Sequence, residues 1–249
     1  GGKDFVFAHE TAQADKVVAA LVRGAFEYQG QKCSAASRAY IPASMWEEVK
    51  NGVVEETAKL KVGDVRDFRN FMGAVIDKPA FDSITSYIDY AADSEEAEII
   101  AGGTYDDSVG YFVQPTVIVT TNPNFKTMTE EIFGPVLTIY VYENDQLEET
   151  LTSVDTASMY ALTGAIFAQD REAIMHLERR LSGAAGNFYI NDKPTGAVIN
   201  QQPFGGSRGS GTNDKAGSIF NMIRWTSPRI IKENFAPTTD ITYPFMDEE

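Results

Sequence analysis

Cysteine is nearly missing from this sequence: there is one, Cys33, in 249 residues. That excludes an internal disulfide and any thiolate metal cluster built by this chain alone. The compartment is therefore either reducing or indifferent to disulfides. Histidine is almost as scarce, with only His9 and His176 and no His-x-x-x-His pair. No zinc or iron site is expected, and both histidines read as ordinary surface or half-buried residues. Cationic residues are outnumbered, 21 Lys and Arg against 36 Asp and Glu, for a net charge of −15. This argues against nucleic acid and against an anionic membrane surface, because both reward clustered Lys and Arg. No apolar run reaches the roughly 18 residues a membrane-spanning helix needs, so no membrane span is expected. An acidic chain can still hold an anionic cofactor, since local backbone N–H groups do that work. What is present, 43% hydrophobic and 23% charged residues, is the mix of a globular chain with a real core.

The chain opens on Gly1-Gly2-Lys3-Asp4, with no Met and no signal or transit peptide. Phe5-Val6-Phe7-Ala8 follows at once and reads as a buried strand already under way, which suggests a piece of a longer protein. Targeting cannot be read from such an end. Thr11 to Tyr28 reads as a helix, because Val17, Val18, Leu21, Val22, Ala25 and Phe26 fall on one face, and Gly30 is expected to end it. Arg38 to Ile41 reads as a strand stopped by Pro42. Ser44 is expected to cap a helix running to Lys61, with Glu47 completing a capping box. Pro79 to Ala92, Leu147 to Val154 and Gln169 to Leu181 read as further helices. Ala97 to Ala101, Pro115 to Thr120, Val136 to Tyr142, Ala161 to Ala168 and Asn187 to Ile190 read as strands. This alternation predicts an α/β fold with a mainly parallel sheet flanked by helices. Asn191 to Thr212 is long, irregular and rich in Gly, Pro, Asn and Gln, and such a loop is usually functional. The tail Asp247-Glu248-Glu249 reads as solvated.

Few segments carry recognisable chemistry. No stretch fits Gly-x-Gly-x-x-Gly. Gly206 and Gly211 have P-loop spacing, but Thr212 stands where the lysine is needed, so a P-loop is rejected. Cys33 lies in a polar turn, Gln29-Gly30-Gln31-Lys32-Cys33-Ser34-Ala35. Free cysteines are mostly buried and inert, and pattern alone favours that reading. The alternative is a thiolate stabilised by Lys32 and free backbone N–H groups. Glu130-Glu131-Ile132-Phe133-Gly134-Pro135 is either a solvated carboxylate pair before a turn or a carboxylate poised to accept hydrogen bonds from ribose hydroxyls. Composition does not choose between them.

The motifs taken together do. Gly1-Gly2-Lys3, Gly30-Gln31-Lys32-Cys33, Glu130-Glu131-Ile132-Phe133-Gly134-Pro135 and Pro203-Phe204-Gly205-Gly206, in that order and spacing, resemble the aldehyde dehydrogenase superfamily. The resemblance runs from Gly1 to about Trp225. Phe26 to Ala35, Asp107-Ser108-Val109-Gly110-Tyr111-Phe112-Val113 and Gly186 to Lys193 resemble its Δ1-pyrroline-5-carboxylate dehydrogenase branch, of the eukaryotic mitochondrial kind. The resemblance implies a catalytic domain over residues 1–225 and a tail over 226–249 that serves oligomerisation, with Ile230 to Tyr243 able to add a strand to a partner's sheet edge.

It also implies a mechanism: NAD-dependent oxidation of L-glutamate γ-semialdehyde to glutamate, with Cys33 as nucleophile through a thiohemiacetal and a thioester. Glu131 and Phe133 would bind NAD. Ser34, the backbone N–H groups of Gly196 and Ala197, and the ring of Phe204 would bind the substrate. The partners implied are a small-molecule aldehyde and further copies of the chain in a homodimer or larger homo-oligomer, and the location is the mitochondrial matrix. The family's general base, a Glu two positions ahead of Gly-Gly-Lys, and its N-terminal dinucleotide-binding region do not fall in this sequence. The chain alone is therefore expected to lack turnover. The rival readings are an aldehyde dehydrogenase of different substrate, which Gly196-Ala197 and Ser34 argue against, and a catalytically silent fragment that only folds or oligomerises.

Overall fold

The structure is a computed structural model and describes residues 1–198 and 200–246. The acidic tail Asp247-Glu248-Glu249 and Ile199, within the long loop, lie outside the described residues. In chain order the strands are β1 Asp4–Ala8, β2 Ala36–Pro42, β3 Ala97–Ala101, β4 Tyr105–Asp106, β5 Phe112–Val113, β6 Thr116–Thr120, β7 Val136–Tyr142, β8 Tyr160–Ala161, β9 Thr163–Phe167, β10 Asn187–Ile190 and β11 Ser207–Arg208. The helices are α1 Ala14–Phe26, α2 Trp46–Ala58, α3 Lys78–Ala92, α4 Lys126–Thr129, α5 Leu147–Thr156, α6 Arg171–Arg180 and α7 Ile219–Ile223.

Seven strands form the main sheet in the order β10-β9-β1-β2-β7-β6-β3. All neighbours are parallel except β3, which runs antiparallel along β6 at one edge. β1 is buried over its whole length, as expected for a central strand with helices on both faces. Its alternation sorts the two cores. Phe5 and Phe7 join Tyr40 and Tyr142 on the face covered by α3, α5 and α6. Val6 and Ala8 join Ala39, Ile41, Leu137 and Ile139 on the face covered by α1 and α2. The apolar stripe of α1, Val17 through Phe26, lies in that second core.

Three local expectations are corrected. Ser44 does not cap α2: the chain makes a 3₁₀ turn over Ala43–Met45, and the helix begins at Trp46 with no side-chain cap. Ser44 is instead engaged by Asn144, which takes its backbone N–H and lies 2.8 Å from its hydroxyl, so Glu47 has no capping partner. The first helix stops at Phe26, before Gly30, because Tyr28 and Gln29 already adopt left-handed backbone. The strand expected over Ala161 to Ala168 is two strands broken at Leu162, since β8 pairs antiparallel with β11 while β9 enters the main sheet. Asp77 and Asp170, not singled out from the sequence, cap α3 and α6 by accepting backbone N–H bonds.

Candidate active site

Parallel strands place their starts at one edge, and the singled-out motifs lie just ahead of those starts. Gly1-Gly2-Lys3 leads into β1, Cys33-Ser34-Ala35 into β2, and Glu131 through Pro135 into β7. Tertiary structure therefore gathers segments that are far apart in sequence.

Gly2 is the residue they meet on. Its backbone N–H donates to Glu131 Oε1 at 2.7 Å. A Cβ at this position would collide with the Cys33 carbonyl oxygen and the Asp4 carboxylate. Only glycine allows that approach. Gly30 makes a second joint. It adopts φ +65°, and a Cβ there would run into the Gly134 carbonyl, so the Cys33 turn is pressed against the turn after Glu131.

Cys33 is half-buried. Burial pushes its thiol up, the Asp4 and Glu131 carboxylates push it the same way, and its own backbone N–H pulls less strongly against them. Lys32, considered from the sequence as a thiolate stabiliser, is turned elsewhere: its ammonium pairs with Glu27 at 2.8 Å. Beneath the turn lies a buried cluster of ionisable residues, Lys3, Asp4 and Arg38. Lys3 donates to Ser37 Oγ at 2.6 Å, and burial followed by the Arg38 charge lowers it to about 7. Asp4 accepts from Thr163 N at 2.6 Å and Thr163 Oγ1 at 2.9 Å. Burial nonetheless pushes it up to about 7. Arg38 donates to the Lys3 carbonyl at 2.9 Å and to the Tyr40 hydroxyl at 3.1 Å. Nothing in the linear pattern marks Asp4 and Arg38, because Thr163 and the Lys3 carbonyl reach them from other segments.

The two carboxylates of Glu130-Glu131 separate. Glu130 takes a 2.7 Å hydrogen bond from the Tyr87 hydroxyl on α3. Glu131 faces Gly2, and its Oε2 accepts no hydrogen bond among the described residues. Phe133 adopts φ +59° and is 47% exposed, so its ring stands free beside Glu131.

The long loop returns to this site at Thr195. Ser34 Oγ and Thr195 Oγ1 lie 2.9 Å apart and buried. Gly196 follows with φ +92°. The N–H groups of Gly196 and Ala197 give no hydrogen bond among the described residues. Phe204 is half-buried and pairs its backbone with Ala216 at 3.0 and 2.7 Å. No hydrogen bond or ring contact among the described residues joins Phe204 to Cys33. The structure thus brings Cys33, Ser34, Glu131 and Phe133 together, attaches the Gly196 turn through Thr195, and leaves Phe204 on a separate bridge. Lys193 Nζ donates to the Thr195 carbonyl at 3.1 Å.

The model of the aldehyde dehydrogenase family matches residues 1–230. The chain is 58% identical over 246 residues to the mitochondrial Δ1-pyrroline-5-carboxylate dehydrogenase of Dictyostelium discoideum, covering 99% of this chain and 44% of that protein. It is 50% identical over 247 residues to the human mitochondrial Δ1-pyrroline-5-carboxylate dehydrogenase, again 99% of this chain and 44% of that protein. The crystal structure of the Mycobacterium tuberculosis Δ-pyrroline-5-carboxylate dehydrogenase bound with NAD is similar at TM-score 0.88 and 51% identity, over 99% of this chain and 45% of that one. The chain therefore spans less than half the length of the curated relatives it matches.

Proposed function

Because the chain belongs to the aldehyde dehydrogenase family, we propose that it is the cysteine-bearing part of an enzyme that oxidises L-glutamate γ-semialdehyde, the open form of Δ1-pyrroline-5-carboxylate, to L-glutamate in proline catabolism. The observation that carries this reading is the packing at Gly2, which sets Cys33 and Glu131 on either side of one backbone position. Relatives named Δ1-pyrroline-5-carboxylate dehydrogenase at 58% and 50% identity support the substrate class.

The Cys33 thiolate attacks the aldehyde carbon, an S–C bond forms, and the carbonyl electrons move to oxygen. The Cys33 backbone N–H sits by its own sulfur, where it can also donate to that oxyanion. Loss of hydride from the same carbon restores the carbonyl as a thioester. Water then adds, the S–C bond breaks, and Cys33 leaves as thiolate while glutamate is released. The base for that water is the family carboxylate two positions ahead of Gly-Gly-Lys. A thiol raised by burial and by two carboxylates is mostly protonated when free, so its ionisation is tied to proton removal at this site.

NAD, when bound, supplies the hydride acceptor. The residues present fit its ribose and nicotinamide: Glu131 keeps one carboxylate oxygen without a partner among the described residues, and Phe133 presents a half-exposed ring beside it. At the other end of the substrate, Ser34 and the N–H groups of Gly196 and Ala197 would receive the α-carboxylate, with Phe204 along the aliphatic chain. One domain and a tail follow from this reading. Residues 1–225 make the catalytic domain. Residues 226–249 make an oligomerisation segment of a homodimer or larger assembly, supported by Ile230, Phe235 and Ile241 being at least 90% exposed. Location in the mitochondrial matrix is supported by relatives named as mitochondrial.

The test is NADH formation by a full-length enzyme carrying this chain. Glutamate semialdehyde should be the preferred substrate. Gly196→Val should lower kcat/KM for it roughly ten- to a hundredfold, by displacing one or two charge-assisted hydrogen bonds, and should change a simple aliphatic aldehyde about twofold at most. Equal losses for both aldehydes would mean that the loop does not read the carboxylate.

A further inference from the structure

Glu27 stands where α1 turns towards Cys33, and two lysines converge on one of its oxygens. Lys32, the neighbour of Cys33, reaches Glu27 Oε2 at 2.8 Å. Lys193, at the start of the long loop, reaches the same oxygen at 3.9 Å. Lys193 also donates to the Thr195 carbonyl, and the next residue but two, Gly196, turns directly over its ammonium. The stem of Lys193 and the ring of Pro194 pack against α1 at Gly24, where no side chain intervenes. Burial opposes the ionised Glu27 carboxyl, but the Lys32 hydrogen bond and the Lys32, Lys193 and Arg23 charges outweigh it and hold the group below its usual range.

From this juxtaposition we infer that Glu27 is a positioning residue, which clamps the Lys193–Gly196 turn to the Cys33 turn and so fixes the spacing between the reactive thiol and the backbone donors for the far carboxylate. The inference rests on the proposed function. Its physical content is orientation. Side chains a fifth to a third exposed yield little energy from ion pairing. A bond from Lys193 to the Thr195 carbonyl, however, fixes which way the following peptide points. That peptide carries the Gly196 N–H. The buried contact between Ser34 and Thr195 is a second tie at the same place. The aldehyde carbon and the substrate carboxylate are held at a fixed separation by the substrate itself, so the two turns must be held at a matching one.

Positioning and simple electrostatic attraction make opposite forecasts. If the lysines merely attracted the substrate carboxylate, Glu27→Gln would unmask positive charge and improve glutamate semialdehyde, while Lys193→Met would worsen it. Positioning requires both to be worse. In a full-length enzyme carrying this chain, we expect Glu27→Gln and Lys193→Met each to lower kcat/KM for glutamate semialdehyde about tenfold, through KM. Propionaldehyde should stay within about twofold, and the double variant should be no worse than the worse single one. Amide hydrogen exchange at residues 195–197 should quicken in each variant, with α1 unchanged. Opposite signs for the two variants, additive losses, or equal losses for both aldehydes would overturn the clamp. Wild-type enzyme that ignores glutamate semialdehyde while the variants still loosen residues 195–197 would overturn the functional reading and leave the mooring standing. Wild-type enzyme that oxidises it, with exchange and selectivity unchanged in the variants, would overturn the clamp alone.

Discussion

The Cys33 turn and the loop after β10 are both irregular backbone, and they are held by different means. The Cys33 turn is set by close approach of main chain to main chain, with Gly2 against Cys33 and Gly30 against Gly134. The loop is held by side chains: Lys193 on the Thr195 carbonyl, Ser34 on Thr195, and Lys215 on the Gly186 and Gly205 carbonyls. Backbone contact leaves no freedom, which suits the nucleophile proposed at Cys33. Side-chain ties are individually weak and adjustable, which suits a surface that must admit a substrate and release it.

The widest gap between the two regions should appear at paired glycines. Gly30→Ala adds a Cβ where the Gly134 carbonyl stands and keeps a left-handed backbone. A loss of about 3 kcal/mol or more is expected, as a large fall in the urea midpoint of the full-length enzyme. Gly196→Ala meets only the Lys193 ammonium, the mobile end of a long side chain, though its φ is also positive. It should cost about 1 kcal/mol. Comparable losses would erase the distinction.

Lys215→Met tests the side-chain ties. The Lys215 Nζ donates to the Gly186 and Gly205 carbonyls, and its removal leaves half-buried acceptors behind. About 2 kcal/mol should be lost, together with the Phe204–Ala216 bridge and its slow amide exchange. Thr195→Val removes one neutral hydrogen bond to Ser34 and should cost about 1 kcal/mol. The smallest effect concerns charge at Cys33. Because burial and then the Asp4 and Glu131 carboxylates raise its thiol above the ordinary value of 9.0, iodoacetamide labelling should still be accelerating at pH 9.0. Labelling that levels off well below that pH would mean that the turn stabilises the thiolate, against the electrostatics described.

Much of the sheet was legible in the sequence, because buried parallel strands are apolar on both faces, as Val136 to Tyr142 is. The helices on its faces declared themselves by periodicity, as α1 does through Val17 to Phe26. What failed was local and had a tertiary cause. Ser44 has the right chemistry for a cap but is claimed by Asn144 from across the fold. Ala161 and Thr163 read as one strand, yet β11 draws the first residues out of the sheet. At the site, Cys33 and Glu131 stood out because their motifs are linear. Asp4 is different: it is held by Thr163, 159 residues away, and no local pattern marks it.

The central claim is that Cys33 carries the chemistry. The direct measurement is NADH formation from glutamate semialdehyde by full-length enzyme carrying Cys33→Ala, with folding checked by circular dichroism and NAD affinity by calorimetry. A folded protein that still binds NAD and shows no turnover above background is expected. Substantial NAD-dependent oxidation by that variant would contradict it.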